Sequence, residues 1–103
     1  MEMNKGKVAL ICGGGQSLGE ALSYRMAEAG YDIAVADING ENAERTAEHA
    51  AGQYGVKSLW IQADFTKEAD VEKMIGRVTE EFNKIDVMVY SAGIAKSNKI
   101  TDF

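Results

Sequence analysis

A chain of 103 residues with 46% apolar content has room for one small globular domain and not for two. Eleven Lys and Arg stand against 16 Asp and Glu, a net charge of -5 with the cations scattered, which argues against nucleic acid or an anionic membrane surface as the main partner. No apolar stretch approaches the roughly 20 residues that span a bilayer, and the short polar start, residues 1–7, does not read as a signal peptide.

Four short β-rich runs are predicted at residues 7–12, 31–37, 57–63 and 85–91. The first and last are nearly continuous in apolar residues, the mark of strands covered on both faces. Three helical patterns lie between them. The first carries Leu18, Leu22, Met26 and Ala29 at helical spacing and stops at Gly30. The second places Ala43, Ala47, Ala50, Ala51 and Tyr54 on one face and stops at Gly55; so small a face lets a helix sit close to a sheet. The third places Val71, Met74, Ile75, Val78 and Phe82 on one face, with Thr66 as the expected N-cap and Glu68 in the first turn. The order β-α-β-α-β-α-β predicts an α/β fold with a parallel sheet and right-handed crossovers. Residues 94–103 read as a loop.

The first strand runs into Gly13-Gly14-Gly15-Gln16-Ser17-Leu18-Gly19. Small residues let backbone approach a pyrophosphate, and the N-terminus of the following helix attracts the anion. Gly19 is expected to let the first helical turn pack on the strand. The spacing is Gly13, Ser17, Gly19 rather than G-x-G-x-x-G; a tight strand-to-helix turn without ligand is the plain alternative. Asp37 closes the second strand 18 positions after Gly19, near the separation of about 20 residues found in dinucleotide sites. A carboxylate there accepts hydrogen bonds from both adenosine ribose hydroxyls and repels a 2′-phosphate. That favours NAD over NADP, as does the absence of a cation in Ile38-Asn39-Gly40 or at Gln16. The alternative is that Asp37 only begins the loop or caps the second helix. Asp64, at the end of the third strand, can meet the adenine amine or can be a solvated loop acid. Tyr90-Ser91-Ala92-Gly93 ends the fourth strand with small residues that admit the ribose.

Together these segments resemble the N-terminal part of the short-chain dehydrogenase/reductase family. Its T-G-x-x-x-G-x-G turn, acid after strand two in NAD users, Asp after strand three and N-N-A-G segment match residues 12–19, Asp37, Asp64 and residues 90–93. Cys12 stands for the threonine, Ser17 for the middle glycine, and Tyr90 and Ser91 for the two asparagines. The resemblance implies a Rossmann-type parallel sheet in the order 3-2-1-4, cut after the fourth strand. Residues 1–103 are then the adenosine-binding half of an NAD-binding domain. It implies cofactor contacts at Gly13, Gln16, Ser17, Leu18, Gly19, Asp37, Ile38, Asp64, Phe65, Ser91, Ala92 and Gly93. Segments 13–19 and 89–96 are most similar to the family's sugar-phosphate dehydrogenases, in which hydride passes between C2 of a hexitol 6-phosphate and nicotinamide.

The family's catalytic Ser and Tyr-x-x-x-Lys lie beyond strand four. None of Tyr24, Tyr31, Tyr54 and Tyr90 has a lysine four residues on, so this chain alone is expected to bind part of the cofactor and carry no catalytic residue. A bare strand-four edge is expected to favour a homo-oligomer. Single Cys12 fits a reducing cytoplasm and reads as a small, partly buried residue, and single His49 as a surface residue, with no metal site. Two other classes compete: a stand-alone nucleotide-binding module without chemistry, and a flavodoxin-like or response-regulator-like domain. The last is disfavoured, since its acidic cluster would follow strand one.

Overall fold

The computed structural model describes residues 4–15 and 17–91. Gln16, Ala92, Gly93 and the segment 94–103 lie outside the described residues. Five consecutive apolar residues, Val8–Cys12, form β1, and every one is buried. Parallel partners flank it on both sides: β2 (Asp32–Asp37) and β4 (Val87–Tyr90). Beyond β2 lies β3 (Ser58–Gln62), giving the order β3-β2-β1-β4. This is the parallel sheet that the alternation of patterns predicts.

Strand residues point alternately to opposite faces, so one strand feeds two cores. Ala9, Ile11, Ile33 and Val35 pack beneath α1 (Ser17–Glu28) and α2 (Gly40–Tyr54), against Ala27, Ala43, Ala47 and Ala50. Val8, Leu10, Cys12, Ala34, Ala36 and Ile61 face the other way, onto Met74 and Val78 of α3 (Glu68–Phe82). The Cys12 thiol lies 3.9 Å from the Met74 sulfur. Burial pushes that thiol up to about 12. It is a packed core group, buried more completely than its sequence context suggests.

Three expectations change. The buried face of α1 is Gly19, Ser23 and Ala27, while Leu18 is 55% exposed. A helix lying this close to the sheet has room only for small side chains at the contact. The Ser23 hydroxyl donates to the Gly19 carbonyl within the helix at 2.9 Å, so its burial leaves no orphan donor. Second, β4 is only half-buried along its length, because β1 is its sole strand neighbour among the described residues; the strand buried beside β1 is β2. Third, α3 is preceded by Lys67 with no side-chain cap. Thr66 turns instead to Asp64, donating its N–H at 3.0 Å and its hydroxyl at 2.6 Å to Oδ1. By contrast α2 is capped at both ends, by the Asn39 side chain and by Gly55. Its Tyr54 is exposed and its Ala51 only half-buried, whereas Ala43, Ala47 and Ala50 are buried as predicted.

Met74 joins α3 to the sheet, so Met74→Ala should cost about 2–5 kcal/mol, read as a lower urea midpoint; an unchanged midpoint would contradict this packing. Cys12 and Tyr24 set an alkaline limit. Burial, then Glu20, pushes the Tyr24 phenol from 10.0 to about 12, and Cys12 rises from 9.0. Both are protonated in the folded chain where the unfolded chain has released the proton. Their contribution is complete below pH 9 and is lost as pH rises toward about 12. The denaturation midpoint should fall across that window, less steeply in Cys12→Ala; a flat profile would count against it.

Candidate functional site

Parallel strands put their carboxyl ends on one edge, and those of the predicted residues that the structure describes gather there; Gln16, Ala92 and Gly93 lie outside the described residues. Cys12 is in register with Ala36 and Tyr90, and Asp37 with Gln62. Gly13 leaves β1 at φ 83, a left-handed conformation that suits glycine. Its N–H and that of Gly14 both donate to the Ala36 carbonyl, at 2.7 and 3.1 Å. The Gly15 N–H donates to Asp37 Oδ2 at 2.9 Å. The turn's own amides are therefore held by β2. The amides left without an intrahelical acceptor are those of the first turn of α1. Ser17 opens this helix at φ 53, a left-handed conformation in the place where the family pattern has glycine.

Gly19 is buried where α1, the turn and β4 meet. A Cβ there would collide with the Gly13 carbonyl oxygen and lie 2.6 Å from the Ser91 hydroxyl. Ser91 itself ties β4 to the turn. Its N–H donates to the Cys12 carbonyl at 2.8 Å, and its hydroxyl lies 3.1 Å from that oxygen and 3.0 Å from the Gly13 oxygen.

Asp37 is 4% exposed at the end of β2. Besides Gly15, it receives the Asn39 N–H on Oδ1 at 2.9 Å. The helix cap is Asn39, whose Oδ1 accepts from the Asn42 N–H at 3.0 Å. Asp37 is thus not the cap of α2. Both of its oxygens carry one backbone donor, and a carboxylate has capacity for further bonds. Ile38 beside it is exposed and, with Asn39, Gly40, Trp60 and Gln62, lines an open groove.

Asp64 is shaped by the bonds from Thr66, which hold its carboxyl below the usual carboxylate range, and its N–H donates to Asp70 Oδ2 at 2.9 Å. Phe65 packs its ring edge-on against Tyr90, with centroids 5.6 Å apart. His49 is exposed and its ring lies 4.8 Å from that of Tyr24. Among the described residues no group of three His, Cys, Asp or Glu is placed to hold a metal ion, and no helix is long and apolar enough to cross a membrane.

Sequence reasoning missed Arg45. Its Nη2 donates to the Gly15 carbonyl at 2.9 Å and its Nη1 to Asn42 Oδ1 at 2.8 Å. The available signal was its position three residues after Asn42, one turn from the helix start that faces the strand ends.

Similar proteins carry the same unit. A family model described as short chain dehydrogenase matches residues 7–103. Sorbitol-6-phosphate 2-dehydrogenase of Escherichia coli K12 is 41% identical over 98 residues, 94% of this chain and 38% of that protein. A short-chain dehydrogenase/reductase of Armillaria gallica is 39% identical over 101 residues, 97% of this chain and 39% of its own length. The chain therefore spans less than two-fifths of these relatives. Among solved structures, an NAD+-bound xylitol dehydrogenase superposes with a TM-score of 0.78 at 34% identity, covering 82% of this chain and 32% of that one. An alcohol dehydrogenase from Thermococcus sibiricus, complexed with 5-hydroxy-NADP, gives 0.78 at 31% identity, covering 81% and 35%. The match begins one residue before β1 and takes in the four-stranded unit together with its glycine turn: the chain belongs to the short-chain dehydrogenase family.

Proposed function

We propose that this chain holds the adenosine and pyrophosphate part of NAD, as the adenosine-binding half of a Rossmann-type domain in a cytoplasmic NAD-dependent oxidoreductase. The observation that carries the reading is the buried Asp37 carboxylate, fixed by the Gly15 and Asn39 amides at the end of β2. Remaining lone pairs on its oxygens would accept the ribose 2′- and 3′-hydroxyls. A 2′-phosphate would bring negative charge against a buried carboxylate, so NADP is disfavoured.

The other groups fit the rest of the nucleotide. First-turn amides of α1, at Ser17, Leu18 and Gly19, would receive the pyrophosphate, with Gln16 and Gly13 beside it. Gly13 and Gly19 bring no side chain of their own to the turn. Ile38 offers an exposed apolar surface to the adenine ring. Asp64 has Oδ1 committed to Thr66 and would accept from the adenine amine through Oδ2, with Phe65 alongside. Ser91, Ala92 and Gly93 would border the ribose on the nicotinamide side. When bound, the cofactor supplies a hydride acceptor. The substrate proposed is sorbitol 6-phosphate, oxidised at C2 to fructose 6-phosphate; support comes from the 41% identity to the E. coli enzyme and from segments 13–19 and 89–96. The β4 edge is proposed to be covered in a homo-oligomer.

Calorimetry with NAD, AMP and NADP tests the ligand. NAD and AMP should bind, with NADP weakest, and Asp37→Asn should lower NAD affinity roughly tenfold or more, the size of a hydrogen bond to a charged group. Equal affinity for NAD and NADP would overturn the role given to Asp37. The 103-residue chain mixed with sorbitol 6-phosphate and NAD should give no NADH absorbance above the blank. Measurable NADH would show that the reacting groups are already present.

A further inference from the structure

Gly15 is gripped at both ends by side chains of opposite charge. Its N–H donates to Asp37 Oδ2 and its carbonyl accepts from Arg45 Nη2, each at 2.9 Å. The space is tight as well: a Cβ on Gly15 would lie 2.8 Å from Asp37 Oδ2 and from Asn42 Cβ. Arg45 is held in turn. Its second nitrogen donates to Asn42 Oδ1 at 2.8 Å, and Glu20 Oε1 stands 3.7 Å from Nη2. Glu20 is oriented by the Tyr24 hydroxyl, which donates to Oε2 at 2.6 Å. A continuous line of polar contacts thus runs from Tyr24 through Glu20, Arg45 and Gly15 to Asp37.

Folding does not account for this line. The Arg45 side chain is 54% exposed, and ion pairs that exposed contribute little to stability. What the guanidinium does control is the Gly15 peptide. With the carbonyl fixed, the Gly15 N–H has one direction, and that direction sets the plane of the Asp37 carboxylate. Two donors of the guanidinium are taken by Gly15 and Asn42, so the role argued for it is on the turn.

We infer that Arg45 is a positioning residue for the dinucleotide: by holding the Gly15 carbonyl it presents the Asp37 carboxylate at the angle required by the ribose hydroxyls. This rests on the Asp37 reading and extends it to a residue that does not touch the ligand. Lysine can reach the same carbonyl but cannot fork to Asn42, so it restores part of the effect.

The test is calorimetry of the full chain with AMP and 2′-deoxy-AMP, for the unaltered protein, Arg45→Met and Arg45→Lys. Arg45→Met should weaken AMP about tenfold and 2′-deoxy-AMP less than about threefold, because the deoxy ligand has only the 3′-hydroxyl to lose where AMP has both. Arg45→Lys should recover part of the AMP affinity. Equal losses for the two ligands, or discrimination kept in Arg45→Met, would overturn the Arg45 inference while leaving Asp37 in place. If the unaltered protein does not distinguish the two ligands, the Asp37 reading fails first and this inference falls with it. Amide exchange by NMR gives a readout without ligand. In Arg45→Met the Gly15 amide should exchange faster, while the Gly13 and Gly14 amides, bonded to Ala36, keep their protection. An unchanged Gly15 rate would also overturn the proposal.

Discussion

Three successive amides of the glycine turn are bonded to the end of β2: two to the Ala36 carbonyl and one to the Asp37 carboxylate. The rest of the site depends on this seam. It joins the segment that would carry a pyrophosphate to the segment that would carry a ribose. The two cannot shift apart without leaving buried donors unpaired, which is costly in an interior without water. The start of α1 is therefore fixed relative to Asp37 by backbone bonds, with few side chains involved. Side chains then refine the arrangement, with Asn39 and Gly15 orienting the carboxylate and Ser91 fastening β4 to the turn.

Much of this was legible in the residues because periodicity and punctuation agree. The apolar run Val8–Cys12 reads as a buried strand and is one. The alanine face of α2 and the larger face of α3 were also visible, because each matches a helical repeat. Where the reading failed, the reason is geometric. On α1 the large residues drew attention, yet a helix packed hard against a sheet buries its smallest ones, Gly19, Ser23 and Ala27. Thr66 has the chemistry of a cap, but Asp64 two residues earlier competes for its hydroxyl and its amide. The burial of β4 depends on neighbours, which no strand pattern reveals.

Site residues divide in the same way. Asp37 stood out because its offset from the turn is fixed by one βαβ unit. Arg45 did not, since its contact with Gly15 crosses 30 positions of sequence and an arginine on an outer helix face looks solvated. Ser17 belongs to both groups. The sequence shows a departure from the family's glycine, and only the backbone shows that the serine adopts the left-handed conformation glycine normally supplies. Such a conformation is tolerated where surrounding contacts over-determine it, and here the turn before it and the helix after it are both anchored.

Ser91 adds a point about the order of events. Its hydroxyl reaches the Gly13 carbonyl across 78 positions of sequence, in the narrow space kept open by the missing side chain of Gly19. Strand, turn and helix at the amino end can form from local contacts, but the walls of the cradle close only when the fourth strand arrives. Closing so long a loop costs chain entropy before its contacts contribute. On the proposed reading, ligand competence would belong to the completed sheet, and the first βαβ unit released from its fourth strand would keep the glycine signature without the wall that Ser91 supplies.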